Sequence, residues 1–243
     1  MVRVAERSDV GPGVWTITLD RPERRNAVDH DTLLALIEAQ RTVADARVVV
    51  LAGEPPAFCA GADLNGVEEG AFGADLARVL HGFVALPAPV MAAIDGPALG
   101  AGAQLVSVCD LRVATAESIV GVPAARLGLV IDQWTIDRIR AEFGLATARG
   151  MLLAAETYTG ERLHATGVVH RLGTVDDAVA WAGEIAGLAP LSHASHKVGL
   201  GAGSDDEQRA EFEMMRAKAW ASDDSKEGRD AFLEKRRPAF RGR

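Results

Sequence analysis

The sequence predicts an α/β fold, and three observations predict it. Short apolar runs of strand length alternate with longer stretches of helical periodicity up to about residue 130 of the 243. Two of the runs, 47–52 and 89–94, are continuously apolar, the pattern of a parallel strand buried on both faces, and each is followed by a glycine-rich turn and a helix. From about residue 133 the chain turns mostly helical.

The elements follow in order. Residues 14–19 (V-W-T-I-T-L) form a strand, stopped by the turn-like D-R-P-E-R-R-N. Residues 31–41 place Leu33, Leu34 and Ile37 at helical spacing behind Asp29 or Asp31 as N-cap. The strands 47–52 and 89–94 come next, with a weaker one at 111–114. The recurrence of strand, turn and helix predicts stacked units, although no repeat is visible residue by residue. Farther on, Ala178, Trp181, Ala182, Ile185 and Ala189 share one helix face, and Pro190 is expected to end that helix. Two more helices are predicted over 205–221 and 224–236, with L-G-A-G-S-D-D-E at 200–207 as a linker. These last helices carry Phe212, Met214, Met215, Trp220 and Phe232, too few apolar positions for a core of their own. They must dock on the body or on another subunit.

Composition excludes several classes. A formal charge of −8 argues against nucleic-acid binding, which needs a basic footprint. Two cysteines, Cys59 and Cys109, imply no disulfide framework and read as inert core thiols. The opening M-V-R-V-A-E-R-S-D has no apolar core of a signal peptide, and no apolar run reaches membrane length, so a cytoplasmic protein without a transmembrane segment is expected. His193 and His196 stand at i, i+3 without a third ligand in the pattern, so no metal is expected.

The glycine turn at 96–102 admits three readings. A dinucleotide fingerprint, and with it a nucleotide-dependent dehydrogenase, is opposed by Leu105, which stands where the third glycine after Gly100 and Gly102 would fall. A plain tight turn is always available to glycines. The third reading is an oxyanion site, in which backbone N–H groups at a helix start face a polarised carbonyl. It gains from C-A-G-A-D-L at 59–64, a second such turn after another buried strand.

Several motifs now stand in one order: I-T-L-D-R-P-E-R-R-N-A at 17–27, V-V-V-L-A-G at 48–53 and A-F-C-A-G-A-D-L at 57–64, then P-V-M-A-A-I-D-G-P-A-L-G-A-G at 89–102, C-D-L-R-V-A at 109–114, R-L-G-L at 126–129 and F-L-E-K-R-R-P-A-F at 232–240. Over nearly its whole length the chain resembles the enoyl-CoA hydratase/isomerase (crotonase) superfamily. The resemblance implies a crotonase-like spiral of ββα units over 1–190 and a helical oligomerisation region over 191–243, giving a homotrimer or homohexamer. It implies no prosthetic group and a coenzyme A thioester as ligand, its carbonyl held by the N–H groups of Ala62 and Ala101. It further implies that Arg24, Arg25, Asn26, Ala27, Ala60, Ala62, Asp63 and Leu64 line the CoA moiety, with Phe232 and Lys235 contributing from the C-terminal helix.

Two departures bear on chemistry. Hydratases of the superfamily use two glutamates, at the positions filled here by Gln104 and Ala124. Hydration needs one group to deprotonate water and one to protonate the α-carbon, and carboxylates can do both. An amide exchanges no proton in that range, although Gln104 can still hydrogen-bond, and alanine contributes nothing. Asp132, in V-I-D-Q-W at 130–134, stands where some members carry a nucleophilic aspartate, and it equally fits as the N-cap of a helix beginning near Gln133. The capping role outweighs the other. The missing glutamates and the D-Q-W segment are similar to an actinobacterial subgroup. That likeness implies binding of fatty acyl-CoA and delivery to fatty-acid synthesis proteins without turnover. The alternative is an active acyl-CoA enzyme, of hydratase/isomerase or hydrolase type, using Asp132.

Overall fold

Strands that are apolar at every position must be covered on both faces, and the computed structural model, which describes residues 1–63, 69–201 and 206–243, shows how. The main sheet has six strands: β1 (Val2–Glu6), β2 (Val14–Leu19), β3 (Val48–Gly53), β4 (Val90–Ile94), β6 (Leu111–Ala114) and β9 (Arg171–Leu172), in the order β1-β2-β3-β4-β6-β9. All neighbours are parallel except the antiparallel pair β1–β2. Every residue of β3 and of β4 is buried.

Alternation along these strands divides their side chains between two cores. Val49, Leu51, Val90, Ala92 and Ile94 join the larger one. Val48, Val50, Ala52, Met91 and Ala93 meet Ala178, Val179, Ala182 and Ile185 on helix α7 (Val175–Ala186), which backs the other face. Thr174 opens α7 with a reciprocal capping box to Asp177. Contrary to the sequence expectation, Pro190 does not end this helix. The helix stops at Ala186 with Gly187 as its cap, and Pro190 is the first residue of α8 (Pro190–Gly201), where its missing N–H costs nothing.

A second, thinner layer lies on the other side of the larger core. It contains β5 (Ala98–Leu99), β7 (Ile119–Gly121) and β8 (Thr157–Thr159), extended by single bridges that pair Cys59 with Ala98 and Val28 with Ala62. Successive turns of chain therefore each add a strand to the main sheet, a rung to the second layer and a helix. β2, Val28 and α1 (His30–Thr42) form one turn. β3, Cys59–Ala62 and α2 (Glu69–Ala85) form the next, then β4, β5 and α3 (Ala101–Ser107), then β6, β7 and α4 (Gln133–Phe143). This is the spiral of ββα units. Asp29, not Asp31, caps α1, accepting from the Thr32 N–H at 2.9 Å.

Helices α5 (Leu145–Leu153) and α6 (Gly160–Ala165) complete the body, and α8, α9 (Asp206–Ala221) and α10 (Asp223–Glu234) close the chain. Residues 202–205 of the expected linker lie outside the described residues. Helix α8 is tied to the body by Lys197, whose ammonium pairs with Asp110 at 2.8 Å and donates to the carbonyls of Phe83 and Ala88. Arg47 donates to the Ala186 carbonyl and, at 2.7 Å, to that of Phe240, tying the C-terminal tail to α7. Among the described residues no helix is long and apolar enough to cross a membrane.

Candidate functional site

The two glycine-rich turns lie side by side. Cys59 and Ala98 are paired, the Leu99 N–H donates to the Cys59 carbonyl at 2.9 Å, and Ala62 and Ala101 each lie three residues beyond that pair. Ala62 is bracketed by two ladder bonds at 2.8 Å, from the Val28 N–H to the Gly61 carbonyl and from the Asp63 N–H to the Val28 carbonyl. In a parallel ladder the bracketed residue turns its own N–H away from that partner. Ala101 opens α3, where the first amides have no intrahelical acceptor. Among the described residues neither N–H has a hydrogen-bond acceptor. Gly100 allows this close approach with φ 54° and ψ −114°, a conformation that a side chain would strain, and a Cβ on it would sit 3.7 Å from the Gly61 Cα.

Braces hold each turn. The Arg21 guanidinium pairs with Asp29 at 2.9 Å and with Asp63 at 3.2 Å, and its other nitrogen donates to the Ala27 carbonyl at 2.6 Å. Asn26 is turned inward: its carboxamide accepts from the Arg21 N–H and donates to the carbonyls of Glu54 and Ala57, so its part is to shape the turn. The Ala60 N–H donates to the Arg25 carbonyl at 2.9 Å. Arg24 and Arg25, by contrast, are exposed and carry no ion pair among the described residues. Leu64 lies outside the described residues.

At the far end of α3, Arg112 donates to the carbonyls of Val106 and Cys109, and Arg138 donates to that of Ser107. Both guanidiniums pair with Glu142, at 2.5 and 3.1 Å. Two cations on one carboxylate at the C-terminus of a helix complement its dipole.

Gln104 lies on α3, three residues beyond Ala101, and is buried. Ala124 lies in a 3₁₀ turn, Pro123–Leu127, three residues after Gly121, whose carbonyl accepts the Gly100 N–H at 2.9 Å. That bond sets the turn carrying Ala124 beside the start of α3. Asp132 caps α4, its two oxygens accepting from the Thr135 N–H at 3.0 Å and hydroxyl at 2.6 Å. Burial pushes its carboxyl up, but the Thr135 hydrogen bonds and nearby backbone amides outweigh burial and hold it below the usual aspartate range. Such a group is an ionised, engaged acceptor. Trp134 stacks on His81 of α2 with ring centroids 4.1 Å apart.

Phe232 is exposed on α10 and lines a cavity of about 570 Å³ with Leu191, Trp220, Arg229 and Phe240, while Lys235 caps the end of that helix in the left-handed conformation. Cys59 and Cys109 are buried, and desolvation pushes each thiol up to about 12. Among the described residues no group of three His, Cys, Asp or Glu side chains is placed to hold a metal. Sequence reasoning missed the Arg21 brace, the Arg112–Glu142–Arg138 cluster and the His81–Trp134 stack. Each joins residues far apart in the chain, and no local pattern marks them.

Comparison with known proteins fits this geometry. The family model described as enoyl-CoA hydratase/isomerase matches residues 9–243. The chain is 44% identical to a probable enoyl-CoA hydratase, echA6, of Mycobacterium tuberculosis (strain CDC 1551 / Oshkosh) over 237 residues, covering 94% of this chain and 96% of that one. It is 32% identical to the 2,3-dehydroadipyl-CoA hydratase of Escherichia coli (strain K12), covering 95% and 96%. Among solved structures, a putative enoyl-CoA hydratase/isomerase family protein from Hyphomonas neptunium superposes with a TM-score of 0.89 at 30% identity, over 100% of this chain and 98% of that one.

Proposed function

This chain belongs to the enoyl-CoA hydratase/isomerase family, and from that membership we propose that it binds fatty acyl-CoA thioesters without hydrating them and delivers them to lipid biosynthesis. The observation that carries the reading is the pair of unpartnered amides at Ala62 and Ala101, flanked by Gln104 and Ala124. Two N–H donors converging on one oxygen hold a polarised thioester carbonyl without any proton transfer. The exposed Arg24 and Arg25 give an acidic protein local cations for the phosphates of CoA. Asp63 acts through Arg21, fixing the turn that presents Ala62. In a crystal soaked with a long-chain acyl-CoA, the thioester oxygen is expected within hydrogen-bond reach of both amides. Density elsewhere, or no binding at millimolar concentration, sinks the reading.

The names of the relatives favour a second reading, an active acyl-CoA enzyme, for which Asp132 is the acidic candidate in the sequence. The Thr135 bonds that occupy both Asp132 oxygens weigh against it.

We also propose that residues 191–243 assemble the chain into a trimer or a dimer of trimers. On α9 and α10, Phe232, Leu233, Met214 and Trp220 are 82, 77, 68 and 67% exposed, an apolar surface of the kind that marks an interface. In such an assembly Phe232 and Lys235 would reach the CoA of a neighbouring subunit. Light scattering is expected to give at least three times the 25.6 kDa chain mass. A monomer that persists across micromolar concentrations contradicts it.

A further inference from the structure

One edge of the main sheet is fastened by a side chain. Strand β9 has two residues, Arg171 and Leu172, and pairs with β6 alone. Just before it, His170 and Arg112 of β6 bond each other twice. The His170 N–H donates to the Arg112 carbonyl at 2.9 Å, and the Arg112 N–H donates to the imidazole Nδ1 at 3.2 Å. In a regular parallel ladder that second N–H would turn to the carbonyl two residues back from His170, on Val168. The Val168 carbonyl accepts from the Arg112 Nε at 2.9 Å instead. The imidazole therefore stands in for a backbone acceptor. Arg112 is buried, so its N–H depends on that ring.

Only the neutral ring can do this. Nδ1 accepts through the lone pair that a second proton would occupy, so the ring carries its hydrogen on Nε2. Protonation turns the acceptor into a donor and sets a cation against the Arg112 N–H. Among the described residues no carboxylate pairs with the ring to offset that charge. From β6 it meets Arg112, whose guanidinium already holds Glu142 of α4. From α7 it meets the Trp181 ring, with centroids 6.3 Å apart, and beside it Glu184, which Arg171 holds at 3.5 Å. His164 of α6 turns its Nδ1 to the neighbouring Val169 carbonyl at 3.0 Å. Burial, and after it Arg112, push the His170 imidazole below the usual histidine range. The residue nonetheless reaches the surface, so it titrates in place.

We propose that His170 is an acid-sensitive fastener: neutral, it pins β9 to the sheet, and on protonation it lets residues 168–173 open from β6. The folded chain binds this proton less readily than the unfolded chain does. The stability that His170 adds is therefore complete above the usual histidine range. It is lost as pH falls through that range towards the lower folded value.

The test compares the native protein with two variants, with circular dichroism confirming the fold of each. His170→Asn places a side-chain oxygen where Nδ1 stands and does not titrate, and His170→Ala offers no acceptor at any pH. From about pH 7.5 to about pH 5.5, the melting temperature of the native protein is expected to fall by about 2–4 °C more than that of His170→Asn. Both proteins keep every other titrating group, His193 included, so the difference isolates residue 170. His170→Ala is expected to melt below the native protein at about pH 7.5 and to share the shallower slope of His170→Asn. Amide exchange on the native protein needs no variant. Corrected for the intrinsic rate, protection of the His170 and Gly173 amides, which bond the carbonyls of Arg112 and Ala114, is expected to fall about tenfold in acid while β3 and β4 hold. Parallel melting profiles for the native protein and His170→Asn overturn the inference. So does a His170→Ala protein as stable as the native one at neutral pH, or undiminished protection of the two amides in acid.

Discussion

Crotonyl-CoA incubated with this protein is expected to keep its conjugated-thioester absorbance. General acid–base groups are worth about 10²–10⁴-fold each, and the side chains at 104 and 124 supply neither an acid nor a base. Because groups that act as a unit do not contribute additively, the two losses together predict a rate lower by at least about 10² than ordinary enzyme turnover of about 1–10³ per second. The informative comparison is the double variant Gln104→Glu/Ala124→Glu. If the turns hold the thioester, adding both carboxylates restores measurable hydration, while either alone does much less. Turnover by the native protein near ordinary rates overturns the binding-and-delivery reading. Asp132→Ala separates the remaining alternative. Loss of the cap costs about 0.5–2 kcal/mol of stability, with no catalysis to lose. If native turnover existed and vanished in that variant while folding and CoA binding persisted, Asp132 would be a catalyst.

Gly102→Ala is expected to destabilise the protein and abolish acyl-CoA binding, although helix propensity alone favours the change. Alanine in a helix interior gains about 1 kcal/mol over glycine. Here the added Cβ would fall on the Cys59 carbonyl, and within 2.9 Å of the Cys59 Cβ. That carbonyl already accepts the Leu99 N–H, so relief requires the two turns to separate. Overpacking of this kind costs about 1–3 kcal/mol, and against rigid backbone it exceeds the propensity gain. The melting temperature should fall by several degrees, since about 1 kcal/mol corresponds to about 2–4 °C in a domain of this size. Gly73→Ala is the control. It lies in α2 with nothing within 4 Å of the added Cβ, and it should hold or raise the melting temperature. A Gly102→Ala protein that melts normally and binds acyl-CoA normally would show that the approach of the turns is not needed.

Legibility in the sequence followed length and locality. Strands β3 and β4 announce themselves because burial on both faces demands six and five consecutive apolar residues. Strands β5 and β9, two residues each, carry no periodicity, and the rungs at Val28 and Cys59 are single residues that only their partners define. β1, five residues at the sheet edge with no position fully buried, offers no apolar run to read. The glycine turns were readable as a site because backbone geometry there depends on residues within one motif. Nothing local tells that Arg21 meets Asp63, 42 positions on.

The single-residue rungs of the second layer have a consequence for how such a protein changes its trade. In the proposed reading the grip on a carbonyl falls to main chain on neighbouring rungs, whose spacing is that of adjacent strands, about 4.8 Å, whatever the side chains are. The means of reaction are side chains hung beside those rungs. Substituting them therefore leaves a receptor standing where an enzyme stood, already shaped for its ligand. The reverse also holds: a receptor on this ladder is two carboxylates from being a catalyst.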